Sequence, residues 1–380
     1  MLRLGPILQF LGEQGGVWGV SVLVVTDAGE PEPVLASPPG ATARDPVGMP
    51  VPGLPMMAWR VDVAFPQPQC HGAQAYRVDG AAHSLHVPAP GRAPAMAYVS
   101  CNGFSDPRAR KQLQQPQALW GRLQRLHEQI DRVDSTRFGP LHLLLMGGDQ
   151  IYSDDMWTAV PALRVWCDLP WAQRIAAPFT PALRQALQTH FSRLYLEHFG
   201  APETAAMLAR VPSVMMWDDH DILDGWGSHP GELHDSPVCQ GIFSVAQAAF
   251  ALFQRQMMGA RTPATLPDQD HHNSGYRMGA MGLLVLDMRS ERRPRSGDTR
   301  ATGGLLQAER GELARGVPLV GYPGSGRRHE TLAGHEQHSG GAPQLRVAGK
   351  AAGDLPGPTG ARGRCATTGP ARRTRPSGCA

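Results

Sequence analysis

Four ionisable side chains stand in a row at Asp218, Asp219, His220 and Asp221, and an apolar run of Val211, Val214, Met215, Met216 and Trp217 leads into them. Asp224 follows, with Gly225 and Gly227 on either side of Trp226. A strand that ends in clustered carboxylates and an imidazole is a common way to build a metal or acid–base site, because the strand fixes the position and the loop beyond it exposes the side chains. The plainer reading is a helix N-terminus with the acids as caps and dipole partners. A cap uses one Asp or two, not three acids and a His, so the cluster reads as a site.

Three further apolar runs end in polar groups. Residues 95–100 lead into Cys101 and Asn102. Residues 141–146 lead through Gly147 and Gly148 into Asp149 and Tyr152. Residues 283–286 lead into Asp287 and Arg289. Each has a bland explanation. Cys101 suits a buried small hydrophobe, Asp149 a turn or cap, Tyr152 plain packing, and Asp287 with Arg289 a structural ion pair. His127 and His142 read as surface or core residues without chemistry. Recurrence at four strand ends is what raises the functional reading. Carboxylates, a thiol and an imidazole suit divalent or trivalent metal ions. Two ions about 3.5–4 Å apart need a bridging carboxylate and ligands from several loops. An Arg suits an anionic phosphate oxygen. The chemistry expected is metal-assisted hydrolysis of a phosphate ester, with the metals binding phosphoryl oxygens and generating the hydroxide. His220 would then stabilise or protonate the leaving group.

The elements that position these residues alternate between residues 95 and 292. Apolar spacing at Leu119, Leu123, Leu126 and Ile130 predicts a helix within residues 114–132. Further helices are expected at 183–199 and 243–258. The continuous apolar run 141–146 predicts a strand buried on both faces. This is an α/β layout with its polar residues after strand C-termini. Residues 1–92 read differently, as short β segments at 17–26, 57–63, 74–78 and 83–87 separated by Pro- and Gly-dense turns. They predict a small β-sandwich domain, with a linker at 88–94.

The 380 residues allow two domains, and 42% hydrophobic content supports a core. The net charge of +3 is uneven: residues 293–380 hold 13 Arg and 1 Lys against 6 acids, leaving residues 1–292 at −5. Nucleic-acid binding by the folded part is therefore not expected. The six cysteines form no CxxC pair, which excludes a zinc ribbon and a disulfide framework. The N-terminal apolar patch, broken by Gly and Pro, does not read as a signal peptide, and no run approaches a membrane span. A cytoplasmic location is expected; the oligomeric state is left open.

Together, the segments SCNGFSD, GGDQIYSDD, WDDHDILDGWGS and LDMRSER resemble the PhoD-like alkaline phosphatases of the calcineurin-like metallophosphoesterase superfamily, in order, across about residues 95–292. The resemblance implies a four-layer α/β sandwich preceded by a β-sandwich, and a phosphate-ester substrate. It implies two or more metal ions, iron with calcium or other divalent ions such as Mn and Zn. By position, it makes Cys101 a metal ligand, Asp149 the bridging carboxylate and Tyr152 a hydroxyl donor near the metals. Asp219 becomes a ligand, Asp218 an additional or supporting one, His220 the contact to the scissile phosphate, and Arg289 a group facing the substrate.

The superfamily completes its site with a late strand ending in a GDxH-type motif, and no such motif occurs here. His335 and His338, three apart in AGHEQHSGG, have no apolar strand before them. Residues 293–380 contain no Ile, Phe, Trp or Met, a composition that cannot bury a core, and they read as a disordered tail. Translation of a GC-rich message out of frame beyond Arg292 accounts for such a composition, and reading the other frames of the DNA tests it. Without the rest of the sandwich, the strands before Asp219 and at 283–286 are expected to lack neighbours. Two alternatives to the enzyme follow: a catalytically defective relative that binds metal or phosphate ligands, and a nucleic-acid binder using the basic tail. The second is disfavoured because the tail holds a single aromatic, Tyr322.

Overall fold

The first strand of the structure, a computed structural model, explains most of its architecture. The residues described are 1–70, 72–104, 111–128, 140–261, 271–290, 292, 319–322 and 344–347. In chain order the strands are β1 (Leu2–Gln14), β2 (Val17–Asp27), β3 (Leu35–Ala36), β4 (Thr42–Ala43), β5 (Val47–Pro50), β6 (Met56–Pro66), β7 (Gly72–Val78), β8 (Ala81–Val87) and β9 (Met96–Ser100). Then follow β10 (Leu143–Gly147), β11 (Ser213–Met216), β12 (Ser274–Met278), β13 (Met281–Val285), β14 (Leu319–Tyr322) and β15 (Gln344–Val347).

The apolar patch at the N-terminus is a 13-residue strand, β1, lying between β2 and β11. Residues Ile7, Leu8 and Phe10 are buried on it, which a strand covered on both sides requires. Gly15 and Gly16, both at positive φ, make the two-residue turn into β2, the geometry that matches strand twist. β2 pairs in register with β6 along eleven residues.

One nine-stranded sheet follows the order β15-β9-β10-β11-β1-β2-β6-β4, with β5 also on β6. β9, β10, β11 and β1 run parallel. The polar loops after β9, β10 and β11 therefore leave the sheet at the same end, the usual place for a site in such sheets. A second sheet, β12-β13-β14, packs by β12 against β1, and a third is formed by β3, β7 and β8. The helices Pro181–Phe199 and Pro237–Phe253 pack on each other. Each begins with Pro after a hydroxyl cap, Thr180 and Ser236, whose side chains accept from the amides of Leu183 and Cys239. The helix Ala118–His127 packs on Pro202–Leu208.

The α/β class is as read from the sequence. Two expectations are corrected. Residues 1–92 do not close into a sandwich of their own, because β1, β2 and β6 continue the sheet of β9–β11, and no break falls near residue 92 within Met1–Ala348. Ser213 Oγ on β11 donates to the Leu8 carbonyl of β1 at 2.9 Å, a buried bond across that junction. The strand before Asp219 does not lack neighbours, since β10 and β1 flank it, and β13 lies between β12 and β14. The expected disordered tail lies outside the described residues, as do His335 and His338, apart from β14 and β15. Those two pair with β13 and β9.

Candidate metal centre

The loop after β10 turns through two adjacent residues at positive φ, Gly148 at 99° and Asp149 at 52°. Glycine is required at 148: a Cβ there would stand 2.6 Å from the Asp218 Cβ, so the loops after β10 and β11 touch at this point. Cys101, after β9, is also left-handed at 56°. Non-glycine residues in this region are uncommon and persist where their surroundings over-determine them. Backbone bonds do so here: the Cys101 amide donates to the Gly148 carbonyl at 3.1 Å, and the Asn102 amide to that of Asp149 at 2.6 Å.

These turns bring Asp149, Asp219 and His220 together, with ligand atoms within 4.8 Å of one another. Among the described residues this is the group able to hold a metal ion. The Cys101 thiol stands beside it, donating to Asp149 Oδ2 at 3.4 Å. The His220 amide donates to Asp149 Oδ1 at 3.3 Å. The Tyr152 ring stacks on His220 with centroids 4.3 Å apart. Gly103 makes room for that ring, since a Cβ there would meet it at 2.3 Å.

The electrostatics fit a cation. Burial, then the neighbouring Asp218, pushes the Asp149 carboxyl well above the ordinary carboxylate range. Burial and Asp149 together push the Cys101 thiol up to about 12. Both groups are driven toward their protonated forms by low solvation and mutual repulsion, which a bound cation would relieve. His220 shows the opposite balance. Burial disfavours its charge, but the hydrogen bond and attraction of Asp154, helped by Asp149 and Asp219, raise it to about 10. His220 Nδ1 lies 2.6 Å from Asp154 Oδ2, which leaves Nε2 turned toward the exposed Asp224, 3.9 Å away.

Asp218 and Arg289 sit together beneath this group. Arg289 is buried; its Nε pairs with Asp218 Oδ1, its Nη2 lies 3.3 Å from Asp219 Oδ1, and its Nη1 donates to the Trp226 carbonyl at 3.0 Å. The guanidinium of Arg289, expected from the resemblance to face the substrate, braces the two aspartates and reaches the candidate ligand Asp219. Asp287 is likewise structural, accepting from Trp217 Nε1 at 2.9 Å and from the amides of His272, Arg289 and Ser290 at 3.0 Å each. Trp217 is held against Phe250 at 4.6 Å.

Three residues were not singled out in the sequence. Asp154 anchors His220. Asp221 is fully buried and accepts four N–H bonds. Arg292 is half-buried over Gly227, where a Cβ would meet its side chain, and feels the charges of Asp218 and Asp219. All three lie within the segments quoted above, Asp154 in GGDQIYSDD, Asp221 in the row of four ionisable residues and Arg292 in LDMRSER, but the sequence did not tell their roles.

The sequence profile of the family described as PhoD related phosphatase matches residues 98–297, more than half of the chain. A curated relative, the uncharacterized protein YGR266W of Saccharomyces cerevisiae, is 24% identical over 224 residues. That match takes in 53% of this chain and 30% of the relative, so the chain spans less than a third of the relative's length. A solved structure of PhoD aligns with 75% of this chain and 52% of its own, at 13% identity and a TM-score of 0.39. On the profile match, the chain belongs to the PhoD-related phosphatase family.

Proposed function

We propose that this chain hydrolyses phosphate esters with the help of metal ions held between the loops after β10 and β11. The observation that carries the reading is the convergence of Asp149, Asp219 and His220 within 4.8 Å, beside the Cys101 thiol. Asp149 and Asp219 would hold the ions, with Cys101 beside Asp149 and Asp218 behind. When bound, such ions polarise phosphoryl oxygens and lower the pKa of water. His220, charged and turned by Asp154, presents Nε2 to the ester and donates a proton to the departing oxygen. Tyr152 stacks on the ring and restricts its rotation. Arg289 fixes Asp218 and Asp219 from below, so that neither carboxylate must reorganise as substrate binds.

The test uses bis(p-nitrophenyl) phosphate and p-nitrophenyl phosphate, with Mn²⁺ or with EDTA. Hydrolysis should require the added ion, and Asp149→Ala should lose both hydrolysis and Mn²⁺ uptake. An Asp149→Ala protein as active as the parent would sink the reading.

A further inference from the structure

Asp221 is fully buried, and both of its oxygens are spent on N–H donors from three separate segments. From the loop after β10, the Gln150 amide lies 3.2 and 3.3 Å from Oδ1 and Oδ2, and the Ile151 amide 3.3 Å from Oδ1. From the loop after β11, the Asp218 amide donates to Oδ2 at 2.8 Å. From the end of the helix Pro237–Phe253, Gln254 Nε2 donates to Oδ1 at 2.8 Å. Gln254 also donates to the Tyr195 hydroxyl at 2.8 Å, and its carbonyl accepts from Gln9 of β1 at 3.0 Å.

We infer that Asp221 is the positioning residue of the centre: its carboxylate clamps the two ligand loops at the spacing that lets Asp149 and Asp219 converge on one cation with His220 beside them. The inference rests on the metal-centre reading proposed above. Asp221 is no ligand itself, because its acceptor capacity faces amides. The bond to Gln150 holds the residue directly after Asp149, whose left-handed backbone needs such an external restraint. The bond to Asp218 holds the residue directly before Asp219. A carboxylate suits this place because it accepts on both oxygens, whereas an amide would turn an NH₂ group against N–H donors.

The full chain, stripped of metal, is titrated with Mn²⁺ by calorimetry as wild type and as Asp221→Asn, with circular dichroism to establish folding. Asp221→Asn should fold and bind Mn²⁺ about 10–100-fold more weakly, as losses outside the ligand shell do. Its hydrolysis of bis(p-nitrophenyl) phosphate should return toward wild type at high Mn²⁺, which damage unrelated to the loops would not allow. A folded Asp221→Asn with wild-type Mn²⁺ affinity overturns the inference. Should that variant fail to fold, Gln254→Ala keeps the carboxylate and removes one donor. It should weaken Mn²⁺ by about 2–10-fold, the worth of one hydrogen bond, and unchanged affinity overturns the inference equally. Wild-type protein that binds Mn²⁺ but hydrolyses no ester sinks the proposed function alone, while the Asp221 comparison still reads out.

Discussion

His220 keeps its proton because Asp154 faces Nδ1. Its pKa lies above the ordinary 6.5, at about 10, so the ion pair is fully present below pH 6.5 and is lost as pH rises through about 10. Asp154→Asn removes the charge that sustains this. The alkaline limb of kcat should move toward neutral pH, most clearly for esters with poor leaving groups; a limb left in place would show that Asp154 does not set the proton. His220→Asn should lower kcat by about 10²–10⁴-fold on the same esters, the usual worth of a positioned acid, as a steady-state assay would read. At this scale the sequence displayed the ligand candidates well, since each ends an apolar run. It hid Asp154 and Asp221, whose roles depend on which loop folds over which. Nor did it show that Arg289 pairs with Asp218 and Asp219, because residue type alone does not name a guanidinium's partners.

At the scale of elements, the strand ends hold the site only because the loops make sharp turns. Gly148 stands at positive φ against the Asp218 Cβ. Gly148→Ala should therefore destabilise the fold by about 1–3 kcal/mol in chemical denaturation, the cost of a strained backbone position. It should also weaken Mn²⁺ binding by pushing the two loops apart; a neutral substitution would mean that the contact relaxes freely. The strands β2, β6, β9, β10 and β13 and the three long helices were legible, because each carries continuous or periodic apolar residues. β1 was not. Gly5, Pro6 and Gly12 break its pattern, and register shifts in the β1–β2 pairing absorb the break.

At the scale of the molecule, β1, β2 and β4–β6 of residues 1–92 are structurally part of the sheet that carries the candidate site. A chain starting at residue 93 would leave β11 without β1, and it should yield insoluble protein, measured as soluble fraction and circular dichroism; a folded product would restore the separate-domain view. Acid should also destabilise the whole. Burial lowers His127 and His272 to about 4, and His127 Nδ1 accepts the Leu141 amide at 3.1 Å, which needs the neutral ring. Both groups favour the fold above pH 6.5, and this contribution is lost as pH falls from 6.5 through 4. The melting temperature should drop across that window, and less so in His127→Gln.

The pairing of β1 with β11 also sets a timetable. The two residues joined by the Ser213–Leu8 bond are 205 apart in the chain. At synthesis rates of about 5–20 residues per second, β1 leaves the ribosome roughly 10–40 seconds before its partner exists. During that interval β1 is paired with β2, and β2 with β6, while the edge of β1 that later takes β11 stays open. The N-terminal hairpin thus acts as the nursery of the site: folding of the ligand loops awaits a template laid down first, and aggregation in the cell will track how well that template is protected while it waits.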